Sequence, residues 1–383
     1  ETRDFDTDAY SFYNTAAGLD VRAYKTNYRK ETLSSFAGRL NYNILDKYIF
    51  TFTGRYDGSS KLAVNNKWAF FPSAAFAWKA SEENFLQDTS WLSNLKFRLS
   101  YGESGNDSPV SAYSSLAFLG GADYLFGNTH TNGVDVNGLP NYNLTWERSK
   151  EVNFGIDLGI INNRVRLGLE LYRKKTVDAI LSRTLSNITG YGSAIGNYGS
   201  VENKGIEITL NTVNVQTDNF KWSTSLNFAK NKNSILKLDG SLDKETYGSH
   251  GVLQVGQPVD AIYGYQNDGI WQIDEAAEAA VYGAFPGQYK VIDQDNSGTY
   301  GAEDKVVLGQ VSPDWIGGMT NTFTYKNLDL SIQIYTRQGS YGHSEFYSHF
   351  APYNGDDAKF NSLDMNFWTP NNPDAKYPAP ESG

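Results

Sequence analysis

The chain has no cysteine and only two methionines among its 383 residues. Without cysteine there is no disulfide framework, no thiolate metal site and no cysteine nucleophile. Positive charge is also in short supply. Lys and Arg total 33 against 43 Asp and Glu, a formal net charge of −10, and no basic cluster stands out. No nucleic-acid partner is expected of such a surface. Long apolar runs are missing as well, so none of the roughly 20-residue stretches that make a transmembrane helix is present. What the chain has in quantity is aromatic: 26 Tyr, 21 Phe and 8 Trp, 14% of all residues, at a mean hydropathy of −0.49. That content is too high for a disordered segment. Length suggests two or three domains, a prior that all-β barrels routinely exceed. The ends, Glu1-Thr2-Arg3 and Pro378-Ala379-Pro380, read as those of an internal fragment and carry no targeting information.

The dominant pattern is strand alternation. In Leu95-Lys96-Phe97-Arg98-Leu99-Ser100-Tyr101 apolar and polar residues take strict turns. The same holds for Val152/Phe154/Ile156/Leu158/Ile160, Val165/Leu167/Leu169/Leu171, Ile206/Ile208/Leu210, Phe220/Trp222/Leu226/Phe228 and Leu328/Leu330/Ile332/Ile334. Segments of this kind fall near 33–44, 47–57, 68–79, 94–103, 146–160, 163–176, 201–213, 219–231, 314–325 and 328–338. A period of two gives each strand one apolar face and one watery face. Helical spacing is confined to Asp274–Val281. The fold class is all-β.

The connections separate a barrel from a sandwich. Leu45-Asp46, Asn162-Asn163, Gln216-Thr217-Asp218 and Lys326-Asn327 are short and rich in Asn and Asp, which tolerate the left-handed backbone of tight hairpins. Between them lie long connections at 104–145, 177–200 and 232–313. Tight turns at one rim and long loops at the other are the pattern of outer-membrane barrels. Aromatics gather near strand ends (Tyr48, Tyr56, Trp68, Phe70, Phe71, Trp91, Tyr101, Trp146, Tyr172, Trp222, Trp315, Tyr325), where a lipid–water interface suits them. A two-sheet sandwich satisfies the alternation equally, since periodicity does not distinguish lipid from a second sheet.

Several blocks resemble one family in order along the chain. They are Arg55-Tyr56-Asp57-Gly58-Ser59-Ser60-Lys61, Trp68-Ala69-Phe70-Phe71-Pro72-Ser73, Trp78-Lys79-Ala80-Ser81-Glu82-Glu83 and Ser100-Tyr101-Gly102-Glu103-Ser104-Gly105-Asn106. Further on come Leu144-Thr145-Trp146-Glu147-Arg148-Ser149, Asn197-Tyr198-Gly199-Ser200-Val201-Glu202-Asn203-Lys204-Gly205 and Pro313-Asp314-Trp315-Ile316-Gly317-Gly318. From about Ser34 onward the chain resembles the SusC/RagA-type TonB-dependent outer-membrane transporters of Bacteroidota. The resemblance implies a transmembrane antiparallel β-barrel of the 22-stranded transporter kind, about half of it within this sequence, with the plug and the last strands outside it. Residues 1–32 are then a loop or strand lead-in, 33–338 barrel strands with long extracellular loops, and 339–383 an extracellular loop leading to the terminal strands. It further implies integral outer-membrane placement, coupling to TonB, a SusD-like surface lipoprotein partner and import of a glycan oligomer or peptide.

One loop has ion-ligand spacing. Asp293-Gln294-Asp295-Asn296-Ser297-Gly298-Thr299-Tyr300-Gly301-Ala302-Glu303-Asp304 aligns with a twelve-residue calcium loop: Asp293 and Asp295 at positions 1 and 3, Ser297 at 5, Gly298 at the turn, the Thr299 carbonyl at 7 and Asp304 at 12. Ser297 in place of Asp, and Asp304 in place of a bidentate Glu, depart from the pattern. The flanks read as strand, so no EF-hand domain is expected. The competing reading is an Asx-turn loop without an ion.

No catalytic constellation is found. Gly342-His343-Ser344-Glu345-Phe346 lacks the closing glycine of a nucleophile elbow, and there is no His-Glu-x-x-His pair. His130, His250, His343 and His349 need no special role. Glu147 and Glu151 share a strand face, the polar one, where charge is expected in any case and does not by itself make a glycosidase pair. Loop aromatics Tyr113, Phe118, Tyr124, Phe126, Tyr191 and Tyr198 suit stacking on sugars or peptide side chains, and equally packing within the loops. Two other readings stay open on the residues alone: a non-transporting outer-membrane barrel that displays loops or scaffolds a surface complex, and a soluble carbohydrate-active β-enzyme.

Overall fold

The structure, a computed structural model, describes residues 2–5, 18–21, 29–127, 129–239, 243–248, 250–344, 346 and 363–380. Ten strands make the largest sheet: β1 (Leu33–Ile44), β2 (Tyr48–Ser59), β3 (Trp68–Lys79), β4 (Leu92–Asn106), β5 (Glu147–Ile160), β6 (Val165–Thr184), β7 (Ser193–Gln216), β8 (Phe220–Lys237), β9 (Trp315–Tyr325) and β10 (Leu328–Gln338). Their order across the sheet is their order in the chain, an up-and-down meander. The chain divides into two compact units, Glu1–Asp88, Lys96–Gly155 and Arg173–Ser200 in one, Thr89–Leu95, Ile156–Tyr172 and Val201–Gly383 in the other.

In the first unit the register sorts side chains by polarity. Phe36 stands opposite Tyr56, Leu40 opposite Phe52 and Tyr42 opposite Phe50. Phe50 in turn faces Phe76, and Phe76 faces Leu99. The alternate positions pair Arg39 with Thr53, Asn41 with Thr51, and Ala75 with Ser100. The apolar face is left open: Phe36 is 67%, Leu40 63% and Phe52 51% accessible. A water-soluble sheet buries that face; here it is left for lipid.

The second unit repeats the arrangement. Trp222 pairs with Phe323, which faces Leu330, and Leu226 pairs with Met319, which faces Ile334. Leu328, Leu330, Ile332 and Ile334 are all exposed.

Three of the four expected tight turns carry left-handed residues: Leu45 and Asp46, Ile161 to Asn163, and Lys326. Asn43 Nδ2 donates to Asp46 Oδ1 at 2.6 Å across the first. The turn after β7 is built otherwise, with the Thr217 N–H donating to the Phe220 carbonyl at 2.8 Å and the Phe220 N–H to Thr217 Oγ1 at 3.1 Å.

The long connections are more structured than the sequence suggests. The expected loop 177–200 is mostly strand, since β6 continues to Thr184 and β7 begins at Ser193. The 104–145 connection holds the hairpin Phe118–Phe126 with Thr129–Asn137. Within 232–313, β8 runs on to Lys237, followed by a four-stranded sheet (Lys244–Tyr247, Gly251–Gln254, Ala261–Tyr265, Lys305–Gln310), a pair Asn267–Ile270 with Tyr289–Val291, and helical turns over Ile273–Tyr282. Once a strand leaves the lipid belt, lipid no longer selects an apolar side chain at every second position, so the alternation that marks it fades. The lead-in contains the paired strands Thr2–Phe5 and Gly18–Val21.

Phe71 and Trp146, grouped above with interfacial aromatics, are core residues. With Leu62, Ala63, Ala69, Val110, Leu144 and Ile180 they form a buried cluster, their rings edge to face at 5.6 Å. Trp146 Nε1 donates to the Lys67 carbonyl at 2.9 Å. Gly105 is obligatory against this pair, because a Cβ there would lie 2.2 Å from the Phe71 ring. Three of the quoted family blocks, 68–73, 100–106 and 144–149, therefore meet in one place.

Candidate functional site

The loop 293–304 is flanked by the strands Tyr289–Val291 and Lys305–Gln310, as its sequence suggests. Asn296 and Gly298 take left-handed backbone angles (φ 57° and 77°), which folds the segment back on itself. One oxygen each of Asp293, Asp295 and Asp304 lies within 4.8 Å of the others. Asp304 is 1% accessible and clamps both ends of the loop: Oδ1 accepts from the Gln294 N–H at 2.8 Å and Oδ2 from the Gly301 N–H at 2.7 Å. Asp293 Oδ2 accepts from the Gly298 N–H at 2.8 Å, and Asp293 Oδ1 and Asp295 Oδ1 share the Ser297 N–H at 3.1 and 3.0 Å. Burial pushes the Asp293 carboxyl up, but the bonds donated by the Gly298 and Ser297 N–H groups outweigh it and hold the group below the ordinary carboxylate range.

Three of the five expected ligands thus converge. Ser297 and Thr299 come together with each other: Ser297 Oγ donates to the Thr299 carbonyl at 2.9 Å. Clustered hard oxygens are the donor set that Ca²⁺ takes, and each carboxylate keeps lone pairs beyond those given to backbone N–H groups.

A support behind the loop has no signature in the sequence. Tyr300 stacks on Tyr282 at 4.6 Å, and Tyr282 on Trp271 at 6.0 Å. Lys290 Nζ sits 4.4 Å above the Trp271 ring and donates to Glu275 Oε1 at 2.9 Å. The Tyr282 hydroxyl reaches Asp293 Oδ2 at 3.3 Å, and burial followed by the Asp293 charge pushes the phenol up.

The other singled-out residues have structural neighbours. Glu147 accepts from Asn106 Nδ2 at 3.0 Å and from the Ile180 N–H at 3.3 Å. Glu103 accepts from the Tyr101 hydroxyl at 2.6 Å and from Arg148 at 3.2 Å. His250 and His343 stack at 4.7 Å, while His349 lies outside the described residues. Among the loop aromatics, Tyr113 accepts from the Lys30 N–H at 3.1 Å and Tyr198 lies 5.6 Å beneath the Arg183 guanidinium. Tyr124 and Phe126 stack on an exposed hairpin at 6.5 Å.

The family model described as "TonB dependent receptor-like, beta-barrel" matches residues 1–262. The chain belongs to that family. TonB-dependent receptor P3 of Formosa agariphila is 36% identical over 99% of the chain and 38% of its own length. TonB-dependent receptor SusC of Bacteroides thetaiotaomicron is 34% identical over 86% of the chain and 33% of its own length. A solved structure of the RagAB peptide transporter superposes with a TM-score of 0.80 at 24% identity, covering 95% of this chain and 40% of that one. The chain therefore spans about two fifths of the length of the relatives it matches. TonB-dependent receptor barrels are integral outer-membrane proteins and not enzymes, which accounts for the outward-facing apolar belt and sets aside the soluble-enzyme reading.

Proposed function

We propose that the full-length protein imports a large nutrient, a glycan oligomer or a peptide, across the outer membrane with energy relayed through TonB, and that a SusD-like lipoprotein covers its outer opening. The observation that carries this reading is the register: in each unit it gathers most of the apolar side chains of neighbouring strands on one face, which stays open to the surroundings, as a lipid-embedded wall requires. The relatives named as TonB-dependent receptors support TonB-coupled import, and the peptide-transporter structure of the same fold supports peptide as one class of cargo. Deleting the gene is expected to abolish uptake of at least one member of a fluorescent glycan and peptide panel, and tagged full-length receptor in mild detergent to bring down a lipoprotein. Unchanged uptake of the whole panel together with lost assembly of a surface complex would favour the scaffold role instead.

The loop of Asp293, Asp295, Ser297, Thr299 and Asp304 is, on the same reading, a Ca²⁺ site that stiffens an outer loop. Support comes from the three converging carboxylates, which repel one another without a cation. Calcium titration of the full-length receptor followed by calorimetry is its test, and absence of heat at millimolar ion would end it.

A further inference from the structure

We propose that Lys204, Lys230 and Lys232 form a cationic site on the lipid-facing side of the barrel that holds the phosphate groups of an outer-leaflet glycolipid. This rests on the membrane placement of the chain and goes beyond it by assigning a headgroup site. Asparagine contacts fix the face. Asn203 Oδ1 accepts from Asn231 Nδ2 at 3.2 Å and from Asn233 Nδ2 at 2.9 Å, so these three side chains share one side of β7 and β8. The Tyr172 hydroxyl joins them by donating to Asn231 Oδ1 at 3.1 Å. Neighbouring residues on a strand point to opposite sides. Lys204, Lys230 and Lys232 therefore stand on the other side, which carries Ile206, Ile208 and Leu210 of β7 and Leu226 and Phe228 of β8.

Depth along the strand agrees. β8 leaves the tight turn at Phe220 and reaches Lys230 ten residues later. At about 3.4 Å per residue and a tilt of about 40°, that rise covers about 26 Å of membrane normal, against an apolar band about 25 Å tall. Lys230 thus emerges at the outer edge of the belt. Trp315 marks the same level: Ala229 pairs with Ile316, and the Trp315 ring lies 5.8 Å from Phe228, a tryptophan where an interfacial ring belongs.

The charge pattern asks for an anion. The contacts of Asn203 with both Asn231 and Asn233 set Lys204 level with Lys230 and Lys232 across the strand pair, and like charges facing one another there are destabilising. Glu202 comes within 3.8 Å of Lys204, whose side chain is still 58% accessible. Lys230 and Lys232 are exposed, and among the described residues neither has a carboxylate within 4 Å. In a chain of net charge −10, three lysines gathered just above an apolar belt run against the composition. A multi-oxygen phosphate at the headgroup level offsets their repulsion, and because the face looks toward lipid, imported cargo does not reach it.

The test uses full-length receptor in mild detergent, with bis-phosphorylated lipid A and its dephosphorylated form as probes and native mass spectrometry as the readout. Wild type is expected to retain the phosphorylated lipid, the combined K204Q, K230Q and K232Q variant to bind it at least tenfold more weakly, and the corresponding triple Lys→Arg variant to keep binding. Equal binding by the triple Gln variant, equal binding of the dephosphorylated lipid by wild type, or saturation by inorganic phosphate alone each overturns the proposal. If the triple variant does not fold by heat-modifiable gel migration, K230Q and the dephosphorylated probe on wild type decide instead. Partition of wild type into the aqueous phase would refute the membrane placement rather than the site.

Discussion

Placing a charge on the exposed apolar face of β2 tests the lipid assignment at one residue. Phe52 lies opposite Leu40 on one side and Ala74 on the other, four residues above Tyr48 at the turn end of the strand. At about 3.4 Å per residue and about 40° of tilt that is about 10 Å into a band about 25 Å tall, near its middle. Phe52→Arg is therefore expected to cost about 2–4 kcal/mol, the midplane value for arginine on a lipid-facing strand. Taking about 3 kcal/mol, the folded-to-unfolded ratio falls by roughly 150-fold. The control sits one residue away: Thr51 points to the other side, where its hydroxyl donates to Asn41 Oδ1 at 2.9 Å. Thr51→Arg forfeits that hydrogen bond, about 1 kcal/mol, and meets water rather than lipid. Urea titration of full-length receptor in lipid vesicles, followed by heat-modifiable migration, measures both. A Phe52→Arg midpoint equal to or higher than that of Thr51→Arg refutes the assignment.

The segment between β3 and β4 has a pH response of definite sign. The Tyr48 hydroxyl, Lys47 Nζ and Trp78 Nε1 all donate to Glu83, and these bonds hold its carboxyl at about 2 instead of the usual 4.5. A depressed folded value means the contribution is complete above the usual value and is lost as pH falls from 4.5 through about 2. Hydrogen exchange at residues 45–47 is expected to accelerate over that window in wild type and to show no such step in Glu83→Gln; a step of equal size in the variant counts against it. For the acidic loop, Asp304→Asn replaces one acceptor oxygen by a donor facing the N–H of Gln294 or Gly301. It is expected to weaken the calcium heat of the full-length receptor at least tenfold, and an unchanged affinity would remove Asp304 from the ligand set.

Strands that cross lipid were legible in the sequence to the residue, as for 33–44, 68–79 and 328–338, because lipid demands an apolar side chain at every second position and water sits on the other side. The demand ends at the membrane surface. Beyond it β6 and β7 continue as strands through Ala179-Ile180 and Ala194-Ile195, where adjacent apolar residues break the alternation and Ile180 joins the buried cluster with Ile195 packed against it. Phe71 and Trp146 were visible as aromatics but not as core, since Leu62, Val110 and Leu144 reach them from separate loops. The acidic loop was legible from its spacing. The clamp by Asp304 on two backbone N–H groups, and the stack of Tyr300, Tyr282 and Trp271, depend on chain reversals that no local pattern announces.

The buried cluster of the first unit also governs how its longest loop can change. The segment after β4 leaves through Asp107, which accepts from Ser59 Oγ at 2.6 Å and lies 3.6 Å from Lys61 Nζ. It returns through Leu144, whose carbonyl accepts from the Ala63 N–H at 3.1 Å, and through Trp146. Departure and re-entry are thus riveted to the same short stretch, Ser59–Ala63, whatever lies between. A segment mounted on such a fixed socket is interchangeable: its tip, the hairpin bearing Tyr124 and Phe126, can be lengthened, shortened or swapped without the wall of strands below registering the change. Variation in what the outer face contacts then calls for new tips on an old mount, not for a new barrel.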